Sequence, residues 1–249
     1  MRTKIKCVEG IILSEVNYSE SSKILNILTR EYGLIGVLSR GCRNIKSKLR
    51  SVSRNLIYAS FHIYYKEEGL STLISVDLLS SYNHIIMDLN KITYATYILE
   101  LVKQVSMQSD EEEIFSILKA SLQKIDEGFD EAILTNIVEL KCLNYLGIRP
   151  SIDCCALCGG HTDILTLSSD VGGLLCKNCR TNEFLVKEIT LTLIRMFYYV
   201  DIDKITKLSI KSENVVEVNR FLQEYYEKYT GIYLKSKKML EKVTKLVES

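Results

Sequence analysis

The chain has 249 residues, a formal net charge of +1, 47% apolar residues and 25% charged residues. This length fits one large domain or two modest ones, and the composition excludes long-range disorder. No eighteen successive residues are apolar, and Glu9 interrupts the first apolar stretch, so neither a membrane span nor a signal peptide is predicted. We therefore expect a cytoplasmic protein that does not enter a membrane.

The first eighty residues are predicted to form five β-strands. Short segments rich in Ile, Val, Leu and Tyr alternate with turn signals such as Tyr32-Gly33 and Glu68-Gly69. The predicted strands are Val8–Leu13, Ile24–Leu28, Leu34–Leu38, Leu56–Tyr65 and Thr72–Leu79. Five strands in this length favour a small barrel of the OB type.

After Ser80 the apolar residues follow helical spacing. A first helix contains Ile92, Leu99 and Val105, and Ser109 to Glu112 resemble the capping box of a second. A third is expected from about Asp130 to Leu146, where Gly147 stops it. Further helices are predicted around Ile189–Tyr199, Glu213–Tyr229 and Lys237–Val247.

Four cysteines between these helices have the spacing of a structural zinc site. Cys155 and Cys158 form one C-x-x-C pair, Cys176 and Cys179 form another, and 17 residues separate the pairs. A redox pair would stand alone, and a catalytic zinc would keep an open coordination position. Cys154 is an alternative ligand in place of Cys155.

Other residues near this cluster, and the remaining cysteines, have plainer interpretations. His161 lacks the H-x-E arrangement of zinc deaminases and is expected to be a solvated loop residue. Cys7, Cys42 and Cys142 are expected to be buried thiols.

Positive charge is concentrated in one N-terminal segment. Residues 32–66 contain seven Lys or Arg and no Asp or Glu, which leaves a net charge of −6 on the rest of the chain. Because solvated faces usually mix the two signs, we expect this segment to bind phosphate, although a plain surface loop is the alternative. The candidate DNA-binding residues are Arg40, Arg43, Lys46, Lys48, Arg50 and Arg54. The aromatic residues available for base stacking are Tyr18, Tyr32, Tyr58, Phe61, Tyr64 and Tyr65.

The order of short motifs along the chain resembles one family. The N-terminal motifs are Glu9-Gly10-Ile11-Ile12-Leu13, Tyr18-Ser19-Glu20-Ser21, Leu28-Thr29, Tyr32-Gly33, Arg40-Gly41 with Arg43, and Lys46-Ser47. The central ones are Leu146-Gly147, Pro150, Asp153, the four cysteines, Gly172-Gly173 and Leu175. Over nearly its whole length the chain resembles the RecO recombination mediators of bacterial DNA repair. Cys42 and the doubled Cys154-Cys155 depart from the family pattern.

The resemblance implies an α+β fold of two domains without an active site. Residues 1–80 would be an OB-fold nucleic-acid-binding domain, and residues 81–249 a helical domain with an inserted zinc ribbon at about 151–182. Relatives of this kind bind single- and double-stranded DNA and anneal complementary strands. With RecR they help RecA to displace the single-stranded-DNA-binding protein, in the cytoplasm and at the nucleoid.

Two other classes of protein share part of this pattern. Another zinc-ribbon protein that binds nucleic acid, such as a transcription or RNA-processing factor, would share the charge and the metal but not the ordered motifs. A metal-dependent enzyme acting on nucleic acid is disfavoured because no carboxylate and histidine constellation has metal-ligand spacing. The acidic run Asp110–Glu113 is better explained as a helix start.

Overall fold

The computed structural model describes residues 4–109 and 112–247. Its strands are β1 (Lys4–Tyr18), β2 (Ser22–Thr29), β3 (Gly33–Ser39), β4 (Tyr58–Tyr65), β5 (Ser71–Ser80), β6 (Ile164–Ser168) and β7 (Gly173–Cys176). Its helices are α1 (Asn83–Met87), α2 (Leu89–Ser106), α3 (Glu112–Asp126), α4 (Glu131–Tyr145), α5 (Glu188–Tyr199), α6 (Ser212–Tyr229) and α7 (Lys235–Val247), with a 3₁₀ turn at Ile202–Lys204. The predicted α+β fold, with five N-terminal strands followed by helices, is confirmed.

Strands β1 to β5 form one strongly curved sheet in the order β1-β2-β3-β5-β4. Strand β1 pairs with β2 and also with β4, which returns the sheet to its starting strand and makes a barrel. All pairs are antiparallel except β3 with β5, which meet in parallel over only Val37↔Ser71 and Leu38↔Thr72. Closure of the barrel therefore depends on this short seam.

The interior of the barrel is filled by alternate side chains from all five strands, as expected because successive strand residues point to opposite faces. Its buried members are Val8, Ile12, Leu25, Ile27, Val37, Ile57, Ala59, Phe61, Ile63 and Leu73. Phe61 has no exposed surface, so of the six aromatic residues considered for stacking it is one that packs in the core. The sequence alone did not settle this, because the alternation around residues 61–64 did not fix which side chains face inward.

Helices α2 and α3 are joined to the barrel by polar contacts. Lys103 of α2 donates from Nζ to the Ser14 hydroxyl over 2.8 Å. Glu9 accepts hydrogen bonds from the Tyr58 hydroxyl and from Lys119 of α3, and pairs with Arg30 at 3.6 Å. Burial opposes ionisation of Glu9, but these neighbours outweigh it and lower its pKa. A charged carboxylate thus connects the barrel to α3.

The last helix packs against α2. At its start, the backbone N–H groups of Lys235 and Ser236 donate to the Glu100 carboxylate over 3.1 and 2.8 Å. These are two of the N–H groups that a helix start leaves without an internal partner. Burial opposes ionisation of Glu100, but the hydrogen bonds from Ser236 and Lys235 lower its pKa.

The chain divides into two compact units. One comprises the described residues of 1–128 and 235–249, and the other comprises residues 129–234. The second unit contains α4, the β6–β7 hairpin, α5 and α6, with α4 packed against both later helices. The predicted domain boundary at residue 80 does not coincide with these units, and the division into domains stays a prediction.

The third predicted helix is observed almost as expected. Asp130 accepts a hydrogen bond from the N–H of Ile133 at the start of α4, and Gly147 follows the end with a φ of +71°. The expected capping box of the preceding helix includes residues 110 and 111, which lie outside the described residues. Within the described part of the chain, no helix has the length and apolar character needed to cross a membrane.

We expect Phe61→Ala to lower the free energy of unfolding by about 3–5 kcal/mol, because it opens a cavity inside the barrel. Tyr64→Ala is the matched control, since the Tyr64 side chain lies three residues away in the same strand and is 42% exposed. Denaturant unfolding should place the control within about 0.5 kcal/mol of the wild type. An equal loss in both variants would contradict the inward orientation of Phe61.

Candidate metal centre and nucleic-acid interface

Four cysteine sulfurs come together in the second compact unit. The Sγ atoms of Cys155, Cys158, Cys176 and Cys179 all lie within 4.8 Å of one another. The Sγ atoms of Cys158 and Cys176 are 3.8 Å apart. Sulfurs arranged as a tetrahedron about 2.3 Å from one ion would be separated by about 3.8 Å. The four side chains can therefore hold one metal ion.

Tight turns bring each cysteine pair to the cluster. In the first, the Cys155 N–H donates to the Gly160 carbonyl over 2.8 Å, and the Gly159 N–H donates to the Cys155 carbonyl over 2.9 Å. Gly159 has a φ of +71°, a conformation that glycine adopts without strain. In the second, the Cys179 N–H donates to the Cys176 carbonyl over 3.2 Å.

The β6–β7 hairpin carries the second cysteine pair back to the first. Cys176 is the last residue of β7. Two residues earlier in the same strand, the Leu174 N–H donates to the Ser151 carbonyl over 2.8 Å. A Cβ on Gly173 would lie 2.3 Å from that carbonyl oxygen. Glycine at this position thus permits the close approach of the two chain segments that bear the cysteines.

The thiols in the cluster differ in their readiness to ionise. Burial opposes ionisation of Cys155, but the N–H groups of Cys158, Cys176 and Leu157 outweigh it and lower its pKa to about 6. Hydrogen bonds to the sulfurs of Cys158 and Cys176 raise the pKa of Cys179 to about 12. Backbone donors of this kind favour the thiolate form that binds metals.

Cys154 points away from the cluster. Its sulfur lies 3.5 Å from the Ser151 hydroxyl, and the group of four does not include it. His161 is exposed on the loop, with Nδ1 3.2 Å from the Asp153 carbonyl.

Among the isolated cysteines, Cys42 and Cys142 are buried as predicted, whereas Cys7 is exposed on β1 and that prediction was wrong. Strand β1 begins earlier than the apolar pattern indicated, so Cys7 alternates outward.

Polar contacts with α5 hold the chain segment that enters the ribbon. The Arg149 guanidinium pairs with the Asp153 carboxylate at 2.7 Å, and the Tyr199 hydroxyl donates to the same carboxylate over 2.8 Å. Arg195 donates from Nε to the Ile152 carbonyl over 2.8 Å. Sequence reasoning missed the two contacts made by Tyr199 and Arg195 because they join residues more than forty positions apart.

The six candidate DNA-binding residues lie in the connection between β3 and β4, residues 40–57, which we call the basic loop. Arg40, Arg43, Lys46, Lys48, Arg50 and Arg54 are all exposed there. In the described part of the chain, none of the six forms an ion pair with a carboxylate. The structure thus brings these cations together on one solvent-facing segment.

Hydrogen bonds fix the basic loop to the barrel. The Ser39 and Ser53 hydroxyls are bonded to each other at 2.8 Å in a buried position. The Arg43 N–H donates to the Ser21 carbonyl over 2.8 Å, and its guanidinium donates to the Ser19 carbonyl over 3.2 Å. The loop and the β1–β2 turn therefore form one hydrogen-bonded surface, which sequence patterns did not reveal.

The tyrosines proposed for stacking have different surroundings. Lys6 donates to the Tyr32 hydroxyl over 2.6 Å and lies over the rings of Tyr32 and Tyr65. Tyr58 is bonded to Glu9, as described above. Tyr18 and Tyr64 are exposed by 49% and 42%. Only these two of the candidate rings present a large open surface.

A five-stranded barrel with an exposed basic loop, followed by helices that carry a four-cysteine cluster, defines an OB-type protein with a cysteine ribbon that can hold one metal ion. Residues 1–82 match the family model "Recombination protein O N terminal", and residues 87–238 match "Recombination protein O C terminal". The chain belongs to the RecO family.

Curated relatives match along most of the chain. The DNA repair protein RecO of Bacillus subtilis (strain 168) is 35% identical over 242 residues, which cover 96% of this chain and 94% of that protein. The protein of the same name from Listeria monocytogenes serotype 4a (strain HCC23) is 33% identical over 244 residues, covering 96% and 95%. That of Bacillus pumilus (strain SAFR-032) is 34% identical over 239 residues, covering 94% and 93%. The family resemblance stated from the sequence motifs is confirmed.

We expect Cys158→Ser and Cys176→Ser each to lose bound metal and to melt at a lower temperature than the wild type. A structural metal supplies folding free energy, on the order of 10 kcal/mol in zinc-finger peptides. Elemental analysis and thermal melting are the measurements. Cys154→Ser, which changes the neighbouring thiol outside the cluster, should retain metal and melting temperature. A Cys176→Ser protein with unchanged metal content would rule out the proposed ligand set.

Proposed function

We propose that this chain is a DNA-binding mediator of recombinational repair that works without an enzymatic active site. In this role it binds single- and double-stranded DNA and anneals complementary single strands. With RecR it helps RecA to load onto DNA coated by the single-stranded-DNA-binding protein. The observation that carries the proposal is the exposed basic loop on the barrel of a RecO-family chain.

The charge environment of the basic loop supports its assignment to the phosphate backbone. Two other cations of the barrel form ion pairs: Lys23 pairs with Glu15 at 2.8 Å, and Arg30 pairs with Glu9. The six side chains of the basic loop instead face solvent and have no carboxylate partner among the residues that the structure describes. Exposed cations of this kind bind phosphate and release its counterions. We assign Arg40, Arg43, Lys46, Lys48, Arg50 and Arg54 to the DNA-binding surface.

We further propose that the metal is Zn²⁺ and that its role is structural. Four thiolates are the usual ligands of a closed zinc site, and they leave no coordination position for a substrate. When bound, the ion would join the two cysteine turns and stabilise the ribbon. This arrangement supports a protein whose function lies in binding rather than in chemistry at the metal.

The proposed partners and location follow from family membership. Relatives named DNA repair protein RecO are bacterial, and a cluster of free thiols suits the reducing cytoplasm. We propose that the chain acts there on nucleoid DNA. Its protein partners are RecR and the single-stranded-DNA-binding protein. It assists the loading of RecA indirectly, through these partners.

Strand annealing is the direct test of the proposed function. The wild-type protein should accelerate pairing of two complementary strands that are coated with the single-stranded-DNA-binding protein. A variant with Arg40, Arg43 and Lys46 changed to Glu should lose this acceleration and bind DNA weakly. If the wild type neither binds DNA nor anneals it, the proposed function fails. Preference for RNA over DNA in a competition assay would favour an RNA-processing role instead.

The salt dependence of binding tests the basic loop quantitatively. Six phosphate contacts to a single strand predict a slope of about −4 in log affinity against log salt concentration. Neutralising Arg40, Lys46 and Lys48 to Gln should reduce this slope to about −2. Arg43 is left intact because its guanidinium also bonds the Ser19 carbonyl.

The matched control for the salt titration neutralises Lys187, Lys207 and Lys211, which are exposed cations of the second compact unit. Fluorescence anisotropy should give the control the wild-type slope. A slope that the loop variant does not change would show that its cations do not contact the phosphates.

A further inference from the structure

The surface that commonly carries bases on OB-type barrels is unsuited to stacking in this chain. Such barrels bind oligonucleotides across the face of their second and third strands, with bases on exposed aromatic rings. Neither β2 nor β3 contains an aromatic residue. Helix α2 also packs near this surface, where Lys103 donates to the Ser14 hydroxyl and Asn26 donates to the same oxygen over 2.9 Å. Bases must therefore find another contact.

The end of the barrel that bears the basic loop offers that contact. Strands β1 and β3 finish at this end, and β2 begins there, since Tyr18 lies opposite Ser22 and Ser39 lies opposite Lys23. Tyr18 is the last residue of β1 and lies opposite Ser22. Its side chain is 49% exposed, and it directly precedes Ser19, whose carbonyl accepts the Arg43 guanidinium. An exposed aromatic side chain thus directly precedes the residue to which Arg43 is hydrogen-bonded.

A second apolar side chain projects from the basic loop itself. Ile45 is 87% exposed, and it lies between Arg43 and Lys46 in the chain. Single exposed apolar residues are common, but this one is held outward by a fixed backbone. The Asn44 N–H donates to the Gly41 carbonyl over 3.1 Å, and the Ser47 N–H donates to the Asn44 carbonyl over 3.0 Å. Cys42 is buried beneath these turns.

The remaining tyrosines of the barrel are less suited to bind a base beside the basic loop. Tyr32 and Tyr65 pack against each other with ring centroids 4.6 Å apart and are covered by Lys6. Tyr64 is open, but it lies near the end of β4 that is remote from the basic loop, directly opposite Ile5 of β1. Of the two exposed tyrosines, Tyr18 is therefore the one at the end of the barrel that bears the basic loop.

We propose that Tyr18 and Ile45 form the base-contacting site of this chain, with Tyr18 stacking on one base of a single strand and Ile45 packing against a neighbouring base. The inference rests on the proposed function, because the cations of the basic loop bind the phosphates of that same strand. Apolar side chains are known to insert between bases, and aromatic rings stack on any base. The site favours single strands, since bases in a duplex already stack on one another.

The test separates base contacts from phosphate contacts. Binding of oligothymidylate is compared with binding of an abasic deoxyribose-phosphate strand of equal length, which keeps the phosphates and lacks the bases. The double variant Tyr18→Ala/Ile45→Ala should bind oligothymidylate roughly 5- to 100-fold more weakly than the wild type, as loss of base stacking predicts. Its affinity for the abasic strand should stay at the wild-type level.

The matched control is Ile5→Ala/Tyr64→Ala, which removes an exposed isoleucine and an exposed tyrosine from the opposite end of the barrel. It should bind both strands as the wild type does. The single variant Tyr18→Phe keeps the aromatic ring and should bind oligothymidylate as tightly as the wild type does. Thermal melting of each variant verifies that the fold is retained.

The outcomes distinguish the two proposals. If the wild type binds neither strand, the proposed function itself fails. If it binds both strands and the Tyr18→Ala/Ile45→Ala protein matches the control on oligothymidylate, the base site is wrong while the basic loop stands. Equal weakening on both strands would also overturn the base site, because it would show damage to phosphate binding.

Discussion

Repulsion among like charges is the constraint on which the basic-loop end of the barrel depends. Six cations lie in one loop without a carboxylate among them, so ion pairs within the loop cannot stabilise it. Uncharged groups hold it instead: a buried hydroxyl pair between Ser39 and Ser53, the buried Cys42, and backbone bonds to the β1–β2 turn. The positive charge is therefore held in a fixed position, and under the proposed function ordering of the loop would add little to the cost of binding phosphate.

The four-cysteine ribbon is under a different constraint, because its own hydrophobic core is small. A short two-stranded hairpin has little core of its own, and its buried cluster consists of Cys155, Leu175 and Cys176 with a few half-buried neighbours. Bonds from four sulfurs to one ion would supply the stability that this small core lacks. Contacts with α5 at Asp153 and Ile152 then fix the ribbon to the helices of its own unit.

Much of this organisation could be predicted from local patterns. Helical spacing located α4 within a residue of its observed ends, because its N-cap Asp130 and stop residue Gly147 are local signals. The two C-x-x-C pairs located the four-cysteine cluster because each pair forms a turn by itself. The direction in which strand side chains point was harder to predict. Phe61 of β4 faces inward and Cys7 of β1 faces outward, and neither orientation follows from composition where the alternation is imperfect. Contacts between distant residues, such as Arg43 with Ser19, carry no local signal at all.

The contact between Glu100 of α2 and the start of α7 bears on when the first compact unit can be completed during synthesis. Because α7 packs on α2, the first compact unit is built from segments on both sides of residues 129–234, which are inserted within it. A ribosome releases the inserted unit before it synthesises α7, and units of a chain generally fold as they emerge. Helix α2 therefore lacks this partner until α7 has left the ribosome, so the first compact unit is completed only after the unit that carries the four cysteines has been made.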